Sequence, residues 1–219
     1  MLALLWKDLL IEFRTKETLA SLLMLGLLIL LIMSFAFDPT SELRRAAAPG
    51  VLWVAVIFAG VLGINRSLLH ERENDCMHGL LLAPLDRGTI YLAKTAANFL
   101  FMLAADVVVV PAFIFFFNLP LWITVTRLLP VLLLGLLGFA AIGTLFAAIS
   151  LRTRAREVML PLLILPLASP LVIASVQASS ALLNGASVRT VGHWLNLLVG
   201  FDAVFLVVGW LTFEYAISE

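Results

Sequence analysis

Charged residues, cysteine and histidine are all scarce in this sequence of 219 residues. The 14 basic residues balance the 14 acidic ones, so no net charge attracts nucleic acid. A single cysteine excludes an internal disulfide and a metal site of several cysteines, and the three histidines match no zinc-binding spacing. The pattern G-x-x-x-x-G-K-[ST], which holds the phosphates of ATP, is also missing. We therefore predict that the chain is not an enzyme, binds no metal and leaves any ATP hydrolysis to another polypeptide.

Apolar residues, in contrast, are abundant: they make up 63% of the chain, and the mean hydropathy is +1.10. Several apolar runs approach the roughly 20 residues that a helix needs to cross a hydrocarbon core of about 30 Å. Because backbone polar groups in lipid must be satisfied within the segment, such runs predict helices rather than an open sheet. The predicted fold class is an all-α polytopic membrane protein with a single transmembrane domain.

Six membrane spans are predicted, separated by charged residues or turn formers. They cover about residues 18–37, 50–69, 95–117, 128–149, 158–177 and 195–216. Residues 1–17 are too short and too charged to cross a membrane, but their apolar residues recur at helical spacing. We predict that they form an interfacial helix on the inner leaflet, the alternative being the start of a long first helix.

The fifth span contains three prolines, Pro161, Pro166 and Pro170. Each one removes a backbone donor and is able to kink the helix. They are compatible with a moving hinge and equally with ordinary packing, because neighbouring helices in a membrane satisfy freed carbonyls. After this span, residues 178–194 are predicted to form an outer loop with room for a short re-entrant turn.

Basic residues fall mainly on one side of the predicted spans. With the N-terminus inside, ten of the fourteen lie in cytoplasmic segments, and the other four are Arg44, Arg45, Arg127 and Arg189. An excess of Lys and Arg marks the cytoplasmic side of a membrane protein. Both termini are therefore predicted to be cytoplasmic, which places residues 70–94 in a cytoplasmic loop.

The loop of residues 70–94 is densely charged at its start, HERENDCMHG. If the second span continues into it as a helix, Met77, Leu80 and Leu81 share one face and the charged side chains point elsewhere. Pro84 ends that helix because it has no N–H to donate. We predict a short amphipathic helix on the inner membrane surface, shaped to bind a cytoplasmic partner. The alternative is a solvated loop whose leucines face lipid.

The same loop resembles the cytoplasmic loop of ABC-2-type permeases, where Glu-Arg-Glu precedes a Gly-Thr pair, a Glu, a Leu pair, a Pro and a later Lys. The matching residues here are Glu71, Arg72, Glu73, Leu80, Leu81, Pro84 and Lys94. Asp75 and Cys76 replace the Gly-Thr pair, and His78 replaces the second Glu. The resemblance implies a coupling helix that docks in a groove of a separate ATP-binding subunit. Its acidic residues would meet basic partners there, and Met77 would join the two leucines in the buried contact.

Two further segments narrow the resemblance to the CcmB family, the haem exporter protein B permeases of cytochrome c maturation. APGVLW at residues 48–53 opens the predicted second span, and residues 165–174 in the fifth contain LPL and PLVIA. Together with the length and the six-span layout, the similarity covers essentially the whole chain. It implies an ABC-2-type permease domain over residues 1–219 in the bacterial inner membrane.

The resemblance also implies partners and a substrate. This subunit would form a homodimer with two ATPase subunits and associate with a haem-handling membrane protein and a small single-span subunit. The complex would couple ATP hydrolysis to haem delivery, or to release of a loaded periplasmic haem chaperone, before haem is attached to apocytochrome c. Whether haem itself passes through this subunit is left open.

Polar residues at the predicted spans are further candidates. A carboxylate near the middle of the third span is costly, so Asp106 should face the bundle interior or stay protonated, with a proton relay and a structural role both open. Asp202, a third of the way into the sixth span, is expected near enough to the outer interface to be solvated. His193 and Trp194, at the outer entrance of that span, offer a haem ligand beside an aromatic ring and equally fit an interfacial anchor.

Three other functions are compatible with these features. An ABC-2-type exporter of a lipid, drug-like molecule or polysaccharide would share the charged loop. A proton-coupled carrier that uses Asp106 and Asp202 would work without an ATPase and would leave that loop unexplained. A membrane scaffold would transport nothing and would only transmit ATP-driven motion to its partners.

Overall fold

The computed structural model describes residues 5–7, 10, 17–38, 41–73, 86–150 and 156–217, with side chains at 5–7, 10, 17–38, 41–66, 86–150 and 159–215. These residues form helices and the turns that join them, with no strand among them. The longer helices, numbered in chain order, are α1 (Glu17–Ala36), α2 (Glu42–Glu73), α3 (Arg87–Phe116), α4 (Leu121–Ser150), α5 (Arg156–Leu167), α6 (Ser169–Leu183) and α7 (Gly192–Ile217).

Five helical stretches in the described part of the chain are long and apolar enough to cross a membrane. They are α1, Glu42–Arg66 of α2, α3, α4 and Gly192–Tyr215 of α7. A sixth crossing is present if α5 and α6, which meet at an angle of 56°, count as one broken span. The predicted fold class, an all-α protein with several membrane spans, is confirmed.

Several helices run past the apolar segments from which the spans were predicted. α2 begins at Glu42 and α4 at Leu121, each about two turns before its predicted span. α3 begins at Arg87, so residues 87–94, predicted as part of the cytoplasmic loop, form its first two turns. Residues 178–183, predicted as outer loop, are the end of α6. The spans were predicted to end at charged residues because such residues interrupt an apolar run. A helix continues through these residues when their side chains have hydrogen-bond partners in the folded protein.

Two arginines illustrate this point. Arg44 of α2 donates to the carbonyl oxygen of Phe116 at the end of α3, and its guanidinium lies 5.3 Å from the ring centre of Phe117. Arg127 of α4 donates to the carbonyl oxygen of Leu182 at the end of α6, at 3.1 Å. The last carbonyls of a helix lack intrahelical partners and carry partial negative charge, so cations are stabilised there. Both arginines therefore lie within helices rather than in the loops that precede them.

Proline chemistry explains the break between α5 and α6. Pro170 has no N–H with which to bond the carbonyl of Pro166, four residues earlier. The hydroxyl of Ser169 donates to that carbonyl instead, at 2.7 Å. Ala168, at the break itself, is fully buried, so the bend lies inside the bundle.

The bundle is built around α2 and α4. In the most apolar window of each, 72% of the residues are buried, against 22% in α1 and 17% in α7. α4 packs against α2, α3, α5, α6 and α7. Three of its glycines leave room for a side chain of a neighbouring helix, which a methyl group would overlap: Gly135 for Trp53, Gly138 for Asp202 and Gly143 for Ile64. α1 and α7 therefore lie at the perimeter and turn most of their apolar surface outward.

Part of the predicted interfacial helix is also described. Residues 5–7 and residue 10 are helical. Leu5 packs against a small buried cluster of α1, α2 and α3, whereas Trp6 is 64% exposed. The cluster consists of Leu22, Ala59, Ala97, Phe101 and Ala105. The start of the chain thus packs against the side of the bundle formed by α1, α2 and α3.

Candidate functional site

The predicted coupling segment lies between the end of α2 and the start of α3. Glu71, Arg72 and Glu73 are the last three residues of α2. The backbone oxygen of Asp86 accepts from the N–H of Thr89 at 3.0 Å, which closes the first turn of α3. The other predicted members of the segment lie outside the described residues: Met77, Leu80, Leu81 and Pro84. The docking role of all seven remains a prediction.

The first turn of α3 packs against the last turns of α7. Arg87 Nη1 lies 3.5 Å from Glu214 Oε1, but both side chains are at least one-third exposed, so this ion pair contributes little. Gly88 lies so close to Trp210 that an added methyl group would overlap the indole ring. The absence of a side chain at Gly88 therefore lets the two helices approach closely.

Tyr91, one turn further along α3, is fully buried where α3, α4 and α7 meet. Its hydroxyl oxygen lies 3.0 Å from the backbone oxygens of both Ala141 in α4 and Phe205 in α7, and it can donate to either. Its ring packs on the backbone of Gly209 and lies 5.4 Å from the ring centre of Phe213. We call these five residues the Tyr91 junction. Sequence reasoning missed the junction because its members are far apart in the chain and the only local indication was a tyrosine within an apolar run.

Trp53 makes a second three-helix contact, between α2, α4 and α6. Its side chain is 1% exposed, its Nε1–H donates to Ser179 Oγ at 2.9 Å, and its ring lies against Gly135. Ser175, one turn before Ser179, also faces Gly135, and its hydroxyl has no hydrogen-bond partner within the described part of the chain. Trp53 thereby fixes the second half of the broken span against the two central helices.

Asp202 is buried, which corrects the prediction that it is solvated near the outer interface. α7 begins at Gly192, ten residues earlier, so Asp202 lies about 15 Å along the helix, half of a roughly 30 Å hydrocarbon core. Its carboxylate lies against Gly138 of α4, which also contacts Leu171 of α6. Neither carboxylate oxygen has a hydrogen-bond partner among the residues that the structure describes. Such a group inside a membrane bundle is costly and therefore a candidate for function.

Asp106 is buried between α1, α2 and α3, facing the bundle interior. It lines a cavity with about 10 Å³ available to the centre of a water molecule, close to the minimum for holding one water. Its Oδ2 has no hydrogen-bond partner in the described ranges. The other lining residues are apolar: Leu22, Ala55, Val56, Ala59, Met102, Ala105 and Val109. Asp106 and Asp202 are thus in different interfaces, and a role for either remains a prediction.

The rings of His193 and Trp194 contact each other at the start of α7, with their centres 4.7 Å apart and their planes tilted by 45°. His193 is exposed, and Trp194 is half-buried against the main core. Within the ranges that the structure covers, no three or more His, Cys, Asp or Glu residues are grouped so that they could hold a metal ion. Contact of this pair with haem remains a prediction.

The comparisons with known proteins decide the family. The family model described as "CcmB protein" matches residues 1–218. The chain belongs to the CcmB family. It is 32% identical to heme exporter protein B of Pseudomonas aeruginosa over 189 residues, which cover 84% of this chain and 82% of the relative. It is 27% identical to heme exporter protein B of Rhodobacter capsulatus over 207 residues, 93% of this chain and 91% of the relative. The protein of the same name from Bradyrhizobium diazoefficiens is 27% identical over 186 residues, which cover 84% of this chain and 81% of that relative.

The structure assigns a packing role to the APGVLW segment, which first pointed to the CcmB family. The segment lies inside α2 rather than at its start, and Pro49 is accommodated within the helix. Trp53, its last residue, is the side chain that joins α2 to α4 and α6. This segment therefore holds the second half of the broken span in place.

Proposed function

We propose that this CcmB-family chain is the permease subunit of an ABC complex that exports or handles haem during c-type cytochrome biogenesis. The family membership over residues 1–218 carries the proposal, and the relatives named heme exporter protein B support it. The membrane-length helices provide the permease architecture. Haem is the proposed substrate, and haem delivery or release of a loaded periplasmic haem chaperone is the proposed outcome.

A separate ATPase subunit supplies the energy in this proposal. It binds the segment of residues 71–84, which continues from α2 and leads into α3. Nucleotide-driven closure of the ATPase then moves these two helix ends mechanically. Glu71 and Glu73 form ion pairs with basic groups of the ATPase, and the apolar face of the segment forms the buried contact.

The remaining partners of the proposed complex bind within the membrane. They are a second copy of this chain, a haem-handling membrane protein and a small single-span subunit. The outward apolar faces of α1 and α7 are available to them, since these two helices are the least buried of the membrane-length helices. The complex is placed in the bacterial inner membrane with both termini of this chain in the cytoplasm.

A haem stain for c-type cytochromes in a strain that lacks this chain tests the proposal. Wild-type chain should restore the stained cytochromes, whereas Glu71→Ala/Glu73→Ala should not, because the ATPase loses two ionic contacts. Glu42→Ala is the matched control: Glu42 is an exposed acid at the other end of the same helix, so this variant should restore them fully.

Two outcomes would contradict parts of the proposal. Normal cytochromes in the deletion strain would exclude a role in cytochrome maturation and leave an ABC-2-type exporter of another substrate as the best account. Full rescue by Glu71→Ala/Glu73→Ala would show that these two acids are not needed for coupling. Co-purification of the ATPase subunit with each variant separates failed binding from failed transmission.

A further inference from the structure

The coupling segment of residues 71–84 leads along the chain into the start of α3. α3 begins at Arg87, and Tyr91 lies in its first two turns. A displacement of this end of α3 therefore acts directly on the contacts of Tyr91.

The contacts of Tyr91 restrict the directions in which its ring and its hydroxyl are able to move. The ring is enclosed on one side by the backbone of Gly209 and on another by Phe213, so it has no room to slide along α7. The hydroxyl is held between two backbone oxygens, those of Ala141 and Phe205. Gly88 and Trp210 repeat the arrangement one turn earlier with the roles of the helices exchanged, since here the glycine belongs to α3 and the aromatic ring to α7.

The two backbone oxygens that Tyr91 contacts lie one turn from the Asp202 carboxylate. Ala141 is three residues after Gly138 in α4, and Phe205 is three residues after Asp202 in α7. Gly138 and Asp202 are themselves in contact. Tyr91 thus lies between α4 and α7, one turn toward the proposed cytoplasmic side from the point where the Asp202 carboxylate contacts α4.

We propose that Tyr91 is a positioning residue that transmits motion of the coupling segment to the α4–α7 interface, where it changes the contact between Gly138 and Asp202. This inference rests on the proposed function, because the motion comes from the ATPase subunit. In one state of the cycle the hydroxyl holds α4 and α7 together as described here. When the segment moves α3, the Tyr91 hydroxyl leaves the two backbone oxygens, its hydrogen bond breaks, and the polar group at Asp202 becomes open to water or to a partner.

Tyr91→Phe tests the proposal, because it keeps the ring on Gly209 and removes only the hydroxyl. The complex that co-purifies with the tagged chain is assayed for abundance and for ATP hydrolysis, and the cells are assayed for stained c-type cytochromes. We expect normal abundance and ATP hydrolysis, with cytochrome yield per ATP hydrolysed lower by roughly fivefold, the effect of one lost hydrogen bond on a conformational equilibrium. Tyr215→Phe is the matched control, since Tyr215 is the other of the two tyrosines and is 76% exposed.

Gly209→Ala provides a second test from the opposite helix. The added methyl group overlaps the Tyr91 ring, so we expect the same loss of cytochrome yield per ATP hydrolysed. Gly200→Ala is its control, because that glycine lies in the same helix with nothing within 4 Å of the added methyl group. An unchanged yield per ATP hydrolysed in Tyr91→Phe would overturn the inference. A fall in yield, ATP hydrolysis and complex abundance together would also overturn it, since Tyr91 would then be needed only for folding.

These outcomes are separate from those of the proposed function. If deletion of the chain leaves cytochromes intact, the proposed function fails whatever the Tyr91 variants do. If deletion abolishes cytochromes and Tyr91→Phe has full yield, the proposed function stands and the positioning role is rejected.

Discussion

At the scale of single residues, Trp53 shows how one polar atom orders a membrane bundle. Its indole N–H is buried, and leaving it without an acceptor in an apolar interior would be costly. Ser179 of α6 supplies the acceptor, 126 residues later in the chain. The hydrogen bond therefore selects one rotational setting of α6 about its axis, which apolar packing alone specifies less strictly.

Replacement of Trp53 by Phe should destabilise the protein by about 1–2 kcal/mol, because one buried hydrogen bond and part of the ring contact are lost. Thermal unfolding of the purified chain in detergent measures the effect. Trp122→Phe is the control, since Trp122 is 79% exposed and its replacement should change stability by less than about 0.5 kcal/mol. Equal effects of the two variants would show that the Trp53–Ser179 bond makes no net contribution.

The buried acids differ from Trp53, because some of their oxygens have no hydrogen-bond partner in the part of the chain that the structure describes. Asp106 has one carboxylate oxygen and Asp202 has two without a hydrogen-bond partner in the described residues. Carboxyl oxygens without a partner inside a membrane bundle are costly, so both acids remain candidates for function. We regard Asp202 as the stronger functional candidate, since it lies beside the Tyr91 junction and next to the helix that follows the break.

At the scale of helices, the break between α5 and α6 has a defined chemical cause. Pro170 lacks the donor for the Pro166 carbonyl, and Ser169 takes its place. Pro170→Ala restores that donor and should straighten the pair. Between spin labels at residues 159 and 184, a straight helix spans about 37 Å, and the 56° bend shortens this by about 4 Å.

Pulsed electron–electron double resonance in a Cys76→Ser background can resolve this change in the distance between the two spin labels. Pro111→Ala is the matched control, because Pro111 lies inside α3, which continues through it, so the distance should not change. A distance that stays the same in Pro170→Ala would mean that contacts such as Trp53–Ser179, and not the proline, maintain the bend.

The helices themselves could be predicted from the sequence, but their ends and their contacts could not. Apolar runs of membrane length are a local property, and they gave the fold class and the approximate spans. The ends depend on tertiary partners: Arg44 lies within a helix because the end of α3 offers it a carbonyl. The burial of Asp202 and the Tyr91 junction likewise depend on glycines of other helices, which no local pattern relates to them. The coupling segment is the opposite case, since resemblance alone predicts it and most of it lies outside the described residues.

At the scale of the whole molecule, the orientation in the membrane can be tested with the one native cysteine. Cys76 lies in the predicted cytoplasmic segment, so a membrane-impermeant maleimide should label it only after the cells are opened. In a Cys76→Ser background, Val188→Cys should be labelled in intact cells with a permeable outer membrane, because Val188 is 48% exposed in the turn before α7. The reverse pattern would invert the proposed topology and move the coupling segment away from any cytoplasmic ATPase.

The α4 glycines that leave room for neighbouring side chains also limit which substitutions this protein tolerates. Any larger residue at Gly135, Gly138 or Gly143 would displace a side chain of α2 or α7, so a change there requires a second change elsewhere. The outward faces of the perimeter helices α1 and α7 carry no such packing restriction from this chain itself, and the proposed membrane partners limit substitutions there instead. A substitution in the centre of the bundle must therefore be compensated within this chain, whereas one on its outer faces must be compensated in a partner.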